Sequence, residues 1–264
     1  MADGNRGVTR HLLFDLWAPR GSWGGANMTS ANAGYRETRL RPAKAAVCGF
    51  IANAMGLERQ DVRTVAESVS VAVRVDVPAK REKQADYHTV STGAALPNGR
   101  KARTRFEEMR WAEIQGRGQT IITKREYWHD GGWTVAVSAG DDAFLRRIED
   151  ALRRPMRPLY VGSVSCPIGL PPDPETVEAE SLAEAMAARP PAYRRLAELA
   201  RYLPRPAAGT RPTLHWEEYY PGAPADSDGS SVSPDTPCST VTDRRRVIRA
   251  FSDLPERFKI LEAA

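Results

Sequence analysis

Residues 69–75 read VSVAVRV, with a valine at every second position from Val69 to Val75. A period of two puts all of these valines on one face of an extended chain, so the stretch is expected to be a half-buried β-strand. WTVAV, residues 133–137, repeats the pattern with Trp133, Val135 and Val137 on a shared face. Upstream, HLLFDLW (11–17) reads as a strand, and KAAVCGFIANAM (44–55) reads as a helix. Val47, Phe50, Ile51 and Ala54 recur there at helical spacing between Pro42 and Gly56, the usual punctuation of a helix. Downstream, Asp141 and Asp142 are expected caps of a helix that turns Phe144, Leu145, Ile148 and Leu152 inward and stops before Pro155. Leu159-Tyr160-Val161 is the last short strand.

The order is then β-α-β-β-α-β over about residues 9–165, an α+β, ferredoxin-like (RRM-like) palm. Between its second and third strands lies an insertion of about residues 77–130, far longer than a hairpin loop. Strand-like pieces at 86–91 and 119–127 make that insertion a protruding β-hairpin, a thumb. Residues 1–170 form the first domain. The remainder, 171–264, is a Pro-rich, irregular and partly helical extension. Its helices are expected at 183–188 and 193–202, and 221–237 reads as a loop.

Charge is unevenly spread over the 264 residues, whose net charge is +5. From Ser91 to Arg125 there are eight basic residues (Arg100, Lys101, Arg103, Arg105, Arg110, Arg117, Lys124, Arg125) against three acids. Arg36, Arg39, Arg41 and Lys44 form a second cluster, and DRRRVIR (243–249) a third, whereas Trp216 to Asp235 holds five acids and no base. Such polarisation points to a polyanionic partner, nucleic acid first. Aromatic residues are interleaved with the cations: Trp23, Phe106, Trp111, Tyr127 and Trp128. Stacking platforms beside phosphate-binding cations suit single-stranded RNA. Core packing is the alternative for Tyr127 and the favoured reading of Trp133.

Several classes are disfavoured. No apolar run approaches the about 18 residues of a membrane span, and the N-terminus lacks the apolar stretch of a signal peptide, so a cytoplasmic protein is expected. Cys48, Cys166 and Cys238 have no zinc or disulfide pattern. His11, His88, His129 and His215 have no metal-ligand spacing, so neither a metal nor another cofactor is expected. There is no Walker loop, dinucleotide fingerprint or HExxH motif. Gly162-Ser-Val-Ser-Cys166 only partly matches a nucleophile elbow, and WTVAV lacks the RRM aromatic octapeptide. Tyr87 and His88 in ADYHTV (85–90) are residue types suited to acid/base cleavage of RNA, but adjacent strand residues face opposite ways. A catalytic pair, separate RNA contacts and simple packing all remain open for them.

Taken in order, APRGSWGG (18–25), RPAKAAVCGFIANAMGL (41–57), AESVSVAVRVD (66–76), DYHTV (86–90), REYWHDGGWTVAV (125–137) and LYVGSVSCPIGLP (159–171) resemble the CasD subunits of type I-E CRISPR Cascade complexes, within the RAMP superfamily. DRRRVIRAF (243–251) extends the resemblance faintly. It implies a palm with a β-hairpin thumb and a non-catalytic subunit that caps the 5′ handle of CRISPR RNA. It also implies contacts with the large subunit and the backbone subunits of a complex that binds target DNA. A related branch, in type I-C systems, cleaves precursor RNA itself. Pro42 and Lys44 match the start of the family's first helix, where Lys44 would reach a handle phosphate. Trp23 and Gly24 match its Trp-Gly loop, Tyr87, His88, Arg125 and Tyr127 its thumb motifs, and Gly162, Cys166 and Pro167 its glycine loop. Ser163 and Val164 stand where relatives carry a basic residue, and Ala43 replaces a common hydroxyl. With Arg36, Arg39, Arg41, Arg100, Lys101, Arg103, Arg105, Arg110, Trp111 and Lys124, these side chains make up the expected RNA-binding set.

Replacing Arg100, Lys101, Arg103 and Arg105 with Glu is expected to weaken RNA binding and flatten its salt dependence, because each phosphate left without its cation keeps its counterions. Anisotropy titrations over a salt series would show unchanged affinity and slope if the cluster faces solvent or protein.

Overall fold

The computed structural model describes residues 8–24, 35–91, 103–116, 120–196, 198–199, 201–217, 220–223, 227–237 and 251–260. In chain order the elements of its main sheet and the helices upon it are β1 (Thr9–Gly21), α1 (Lys44–Ala54), β2 (Val69–Val77), β3 (Trp128–Ala139) and α2 (Asp142–Arg153). They continue with β4 (Glu175–Ala179), α3 (Leu182–Ala188), β5 (Thr213–Glu217), β6 (Gly229–Pro237) and β7 (Phe251–Ile260). The fold is α+β. The strands run in the order β4-β1-β3-β2-β5-β7-β6, each antiparallel to its neighbours, and Lys80–Arg81 pairs with one end of β3.

The chain divides into two compact units. One comprises Met1–Trp23, Arg39–Arg81 and Trp128–Ala264, and the other Gly24–Thr38 and Glu82–Tyr127.

In the first unit, α1 buries Val47, Phe50, Ile51 and Ala54 as their spacing requires, and Phe50 stacks on Phe14 of β1 at a centroid separation of 6.2 Å. The helix stops at Gly56, whose φ of +72° is the left-handed conformation that glycine adopts without a Cβ clash. Asp141 caps α2 by accepting from the Ala143 amide at 2.8 Å, and Leu145, Ile148 and Leu152 face inward.

Four expectations change. The half-buried reading of β2 is incomplete: Ala72, Arg74 and Asp76, which alternate with the valines, are buried as well. A second layer covers that face, with Leu182 and Met186 of α3 packing on Leu13, Ala72, Ala136, Leu214 and Trp216. Next, 159–161 is not a strand of the sheet. Tyr160 makes one isolated bridge to Pro167, because Val161 and Cys166 bond back across a turn that starts at Gly162. The fourth palm strand is instead β4, paired along β1. Third, the Ser/Pro-rich 221–237 contains β6: the edge of β7 that β5 leaves free supplies backbone partners that its composition does not advertise. Lastly, the helix expected at 193–202 is confined to Ala192–Arg195, after which Leu196 leaves helical geometry (φ −98°, ψ 68°).

Buried charge ties the second layer down. Asp15 of β1, Thr134 of β3 and Arg74 of β2 lie side by side across three strands. Arg74 donates to Asp76 (2.5 Å), to Thr134 Oγ1 (2.9 Å) and to the carbonyls of Met186 (2.5 Å) and Arg189 (2.8 Å). Arg189 grips both oxygens of Asp15, at 3.2 and 3.1 Å, and Arg195 adds a further contact to the same carboxylate. Burial pushes the Asp76 carboxyl up, opposed by Arg74 and the Thr134 hydroxyl.

Removing one partner of a buried ion pair strands the other charge in a poor dielectric. Arg189→Ala is therefore expected to cost about 3–5 kcal/mol of stability, measured by urea unfolding followed through tryptophan fluorescence. A loss below about 1 kcal/mol would mean that Arg195 alone satisfies Asp15.

Candidate nucleic-acid interface

The second unit is built on a three-stranded sheet. Asp86–Ser91 runs antiparallel to Thr120–Arg125, and Tyr35–Arg36 lies parallel to Lys124–Arg125. Glu126 fixes the third strand. Its carboxylate accepts from the Tyr35 hydroxyl and, at 3.1 Å, from the Thr38 amide, while its own amide donates to the Arg36 carbonyl at 2.9 Å.

Register decides what this sheet displays. Tyr87 pairs with Lys124, His88 with Thr123 and Asp86 with Arg125. Directly opposed residues share a face, so Tyr87, Lys124 and Ile122 lie on one side and His88, Asp86 and Arg125 on the other. The Lys124 ammonium sits 5.9 Å from the centroid of the Tyr87 ring, and both side chains are exposed. Tyr87 (56%) and Ile122 (48%) leave an aromatic and an aliphatic surface beside that cation. On the reverse face His88 Nε2 lies 4.0 Å from the Asp86 carboxylate. Tyr87 and His88 therefore do not converge on a single point.

A helix at Arg105–Ile114 belongs to the same unit, where only strands were expected. Thr104 caps it by accepting from the Glu107 amide at 3.2 Å, and the Glu107 carboxylate reaches back to the Arg103 amide at 2.9 Å. Thr104-Arg-Phe-Glu107 is thus a variant of the capping box, the signal in the sequence that marks this helix. Ala112 is buried, whereas Phe106 (74%), Arg110 and Ile114 (66%) are exposed and four residues apart, hence on one face.

The expected RNA-binding set divides. Arg36, Tyr87, His88, Lys124 and Arg125 come together on the small sheet; Arg103, Arg105, Arg110 and the half-buried Trp111 belong to the helix and its approach. Arg100 and Lys101 lie outside the described residues. Three others are placed differently. Trp23 is a core residue, packed on Trp128 and Trp133 at centroid distances of 5.7 and 5.6 Å, because three indoles cover more apolar area together than exposed. Tyr127 is buried. Lys44 is buried and ion-paired with Glu217 at 2.9 Å, and Glu217 also accepts from the Val71 amide at 2.6 Å. Gly24 is exposed with open space at its Cβ position, and Arg39 and Arg41 are partly buried in the first unit.

The glycine loop has a steric basis. Gly162 has φ of +77°, and a Cβ there would lie 1.7 Å from the Ser22 carbonyl oxygen. Only glycine lets the loop approach that backbone. Of the remaining histidines, burial lowers the pKa of His11, whose Nδ1 lies 3.0 Å from the Tyr220 hydroxyl. Burial and the nearby Arg41 charge lower His215 to about 3. Both stay neutral at physiological pH. Among the described residues no group of three or more His, Cys, Asp and Glu could hold a metal ion, and no helix is long and apolar enough to cross a membrane.

The sequence pattern of the family described as CRISPR-associated protein (Cas_Cas5) matches residues 11–246. The chain belongs to this family. A solved chain described as "CRISPR RNA-guided surveillance complex" is 27% identical, with a TM-score of 0.55 and coverage of 95% of this chain and 89% of that one. A second, described as "Crystal structure of Cas protein", is 23% identical with a TM-score of 0.55, covering 95% and 94%, and is a likeness of fold. No curated protein matches the chain. The exposed face of the small sheet that carries Tyr87 and Lys124 has the aromatic and cationic chemistry that single-stranded RNA recognition uses.

Tyr87→Ala is expected to weaken single-stranded RNA binding about tenfold, the scale of one lost base stack, while Tyr87→Phe retains it. Equal losses in both variants, measured by anisotropy, would move the role from the ring to the hydroxyl.

Proposed function

We propose that this protein is a non-catalytic, cytoplasmic RNA-binding subunit of a type I-E CRISPR Cascade surveillance complex. In this reading it holds the 5′ handle of the CRISPR RNA and contacts the large and backbone subunits of the complex that binds target DNA. The observation that carries it is the arrangement on the small sheet, where Lys124 sits 5.9 Å from the ring of the exposed Tyr87. A cation for phosphate beside a ring for a splayed base is what single-stranded RNA recognition requires. Membership of the CRISPR-associated family and likeness to a surveillance-complex chain support the setting.

The alternative is a metal-independent endoribonuclease of the type I-C kind. Acid/base cleavage needs its groups within reach of one phosphate. The register that turns Tyr87 and His88 to opposite faces disfavours that pair. Labelled repeat RNA incubated with the purified protein in a chelator is expected to stay intact and to bind. Cleavage that His88→Ala or Tyr87→Ala abolishes would overturn the non-catalytic reading. Retention of unrelated RNA with equal affinity would overturn handle recognition.

A further inference from the structure

Arg189 to Arg211 holds six arginines, no lysine and one acid, Glu198. Two of the arginines face inward: Arg189 and Arg195 hold Asp15 of β1 and Asp173. The segment is further seated by Leu203, which is buried, and by Ala192, Tyr193 and Pro204, which line a small cavity with Asp15, Trp17 and Trp133. It continues through turns closed by the Leu199 amide on the Leu196 carbonyl (3.0 Å) and by Tyr202 on Leu199 (2.8 Å).

Arg194, Arg201, Arg205 and Arg211 are exposed. The Arg201 guanidinium lies 4.7 Å from the ring centroid of Tyr202, itself 66% exposed. A guanidinium held beside an aromatic face is pre-oriented, loses less freedom on binding and matches a phosphate with two parallel donors. An exposed ring among such cations offers a stacking platform, and only an unpaired base can use it.

We infer that the segment 194–211, which belongs to the first unit, is a second nucleic-acid surface. Its ligand is a single strand, held through phosphates by Arg194, Arg201, Arg205 and Arg211 and through one base by Tyr202. Arg189 and Arg195 position the segment by their contacts with Asp15.

The test uses the full chain with a fluorescein-labelled oligouridylate and a labelled duplex of equal length, titrated by anisotropy across a salt series. R194Q/R201Q/R205Q/R211Q is expected to bind the oligouridylate at least about tenfold more weakly, with a salt slope shallower by about 0.7 for each phosphate no longer neutralised. Tyr202→Ala loses about tenfold on the single strand at unchanged slope, while Tyr202→Phe loses nothing. Thermal melts coincident with the parent's exclude unfolding as the cause. Unchanged affinity and slope in the quadruple variant overturn the inference, as does duplex binding equal to single-strand binding in the parent. R110Q/K124Q separates the two surfaces. Weakened binding there, with the quadruple variant unaffected, leaves the small-sheet reading standing and rejects this one. Weakened binding in the quadruple variant alone supports this surface and rejects the small sheet.

Discussion

A carboxylate cannot be left alone in a protein interior, and Asp15 of β1 is 4% exposed. Its neighbours across the sheet, Thr134 and Arg74, are buried at the same level, so the middle of the palm carries a polar row on the face opposite α1 and α2. That row obliges the chain after α3 to return over it. Arg189 and Arg195 neutralise Asp15, and the Met186 and Arg189 carbonyls accept from Arg74. Such a network adds little net stability over an apolar core of the same shape, but it admits few other registers. In this protein its consequence is organisational: the chain from α3 to Arg195 becomes a second layer on the palm.

The other face is assembled by different means. Phe14 stacks on Phe50, and Val71, Val73, Val135 and Val137 meet the apolar stripes of α1 and α2. At its edge Lys44 and Glu217 form a buried pair that secures β5, through Glu217, to the Val71 amide. With both faces closed in this way, exposed cations beside aromatic rings stand on the small sheet of the second unit, on the helix Arg105–Ile114 and along 194–211.

Within the candidate site, residue type and residue placement are distinct sources of evidence. Lysine, arginine and aromatic side chains clustered in the chain pointed to RNA, and Tyr87 and Lys124 are exposed side by side on the small sheet, with Arg125 half-buried on its other face. Trp23, Tyr127 and Lys44 belong to equally suitable types and were absorbed by packing and pairing. Conversely, the arginines after residue 189 carry no signal of their own in a Pro-rich stretch, because their separation into inward clasps and outward cations exists only once Asp15 is nearby.

Read alone, the sequence determined what depends on neighbours along the chain: the valine alternation of β2, the stripes of α1 and α2, the glycine that ends α1, and the opposite facing of Tyr87 and His88. Family membership also lay within its reach, in motifs whose order survives folding. Tertiary structure decided everything that depends on distant partners. It chose β4 over 159–161 as the palm's fourth strand and built β6 along an open edge. It also covered the second face of β2 and sorted cations into buried clasps and exposed contacts. The physical reason is that burial and charge compensation are properties of a location in space, and residues as far apart as Asp15 and Arg189 share one only after the chain has folded.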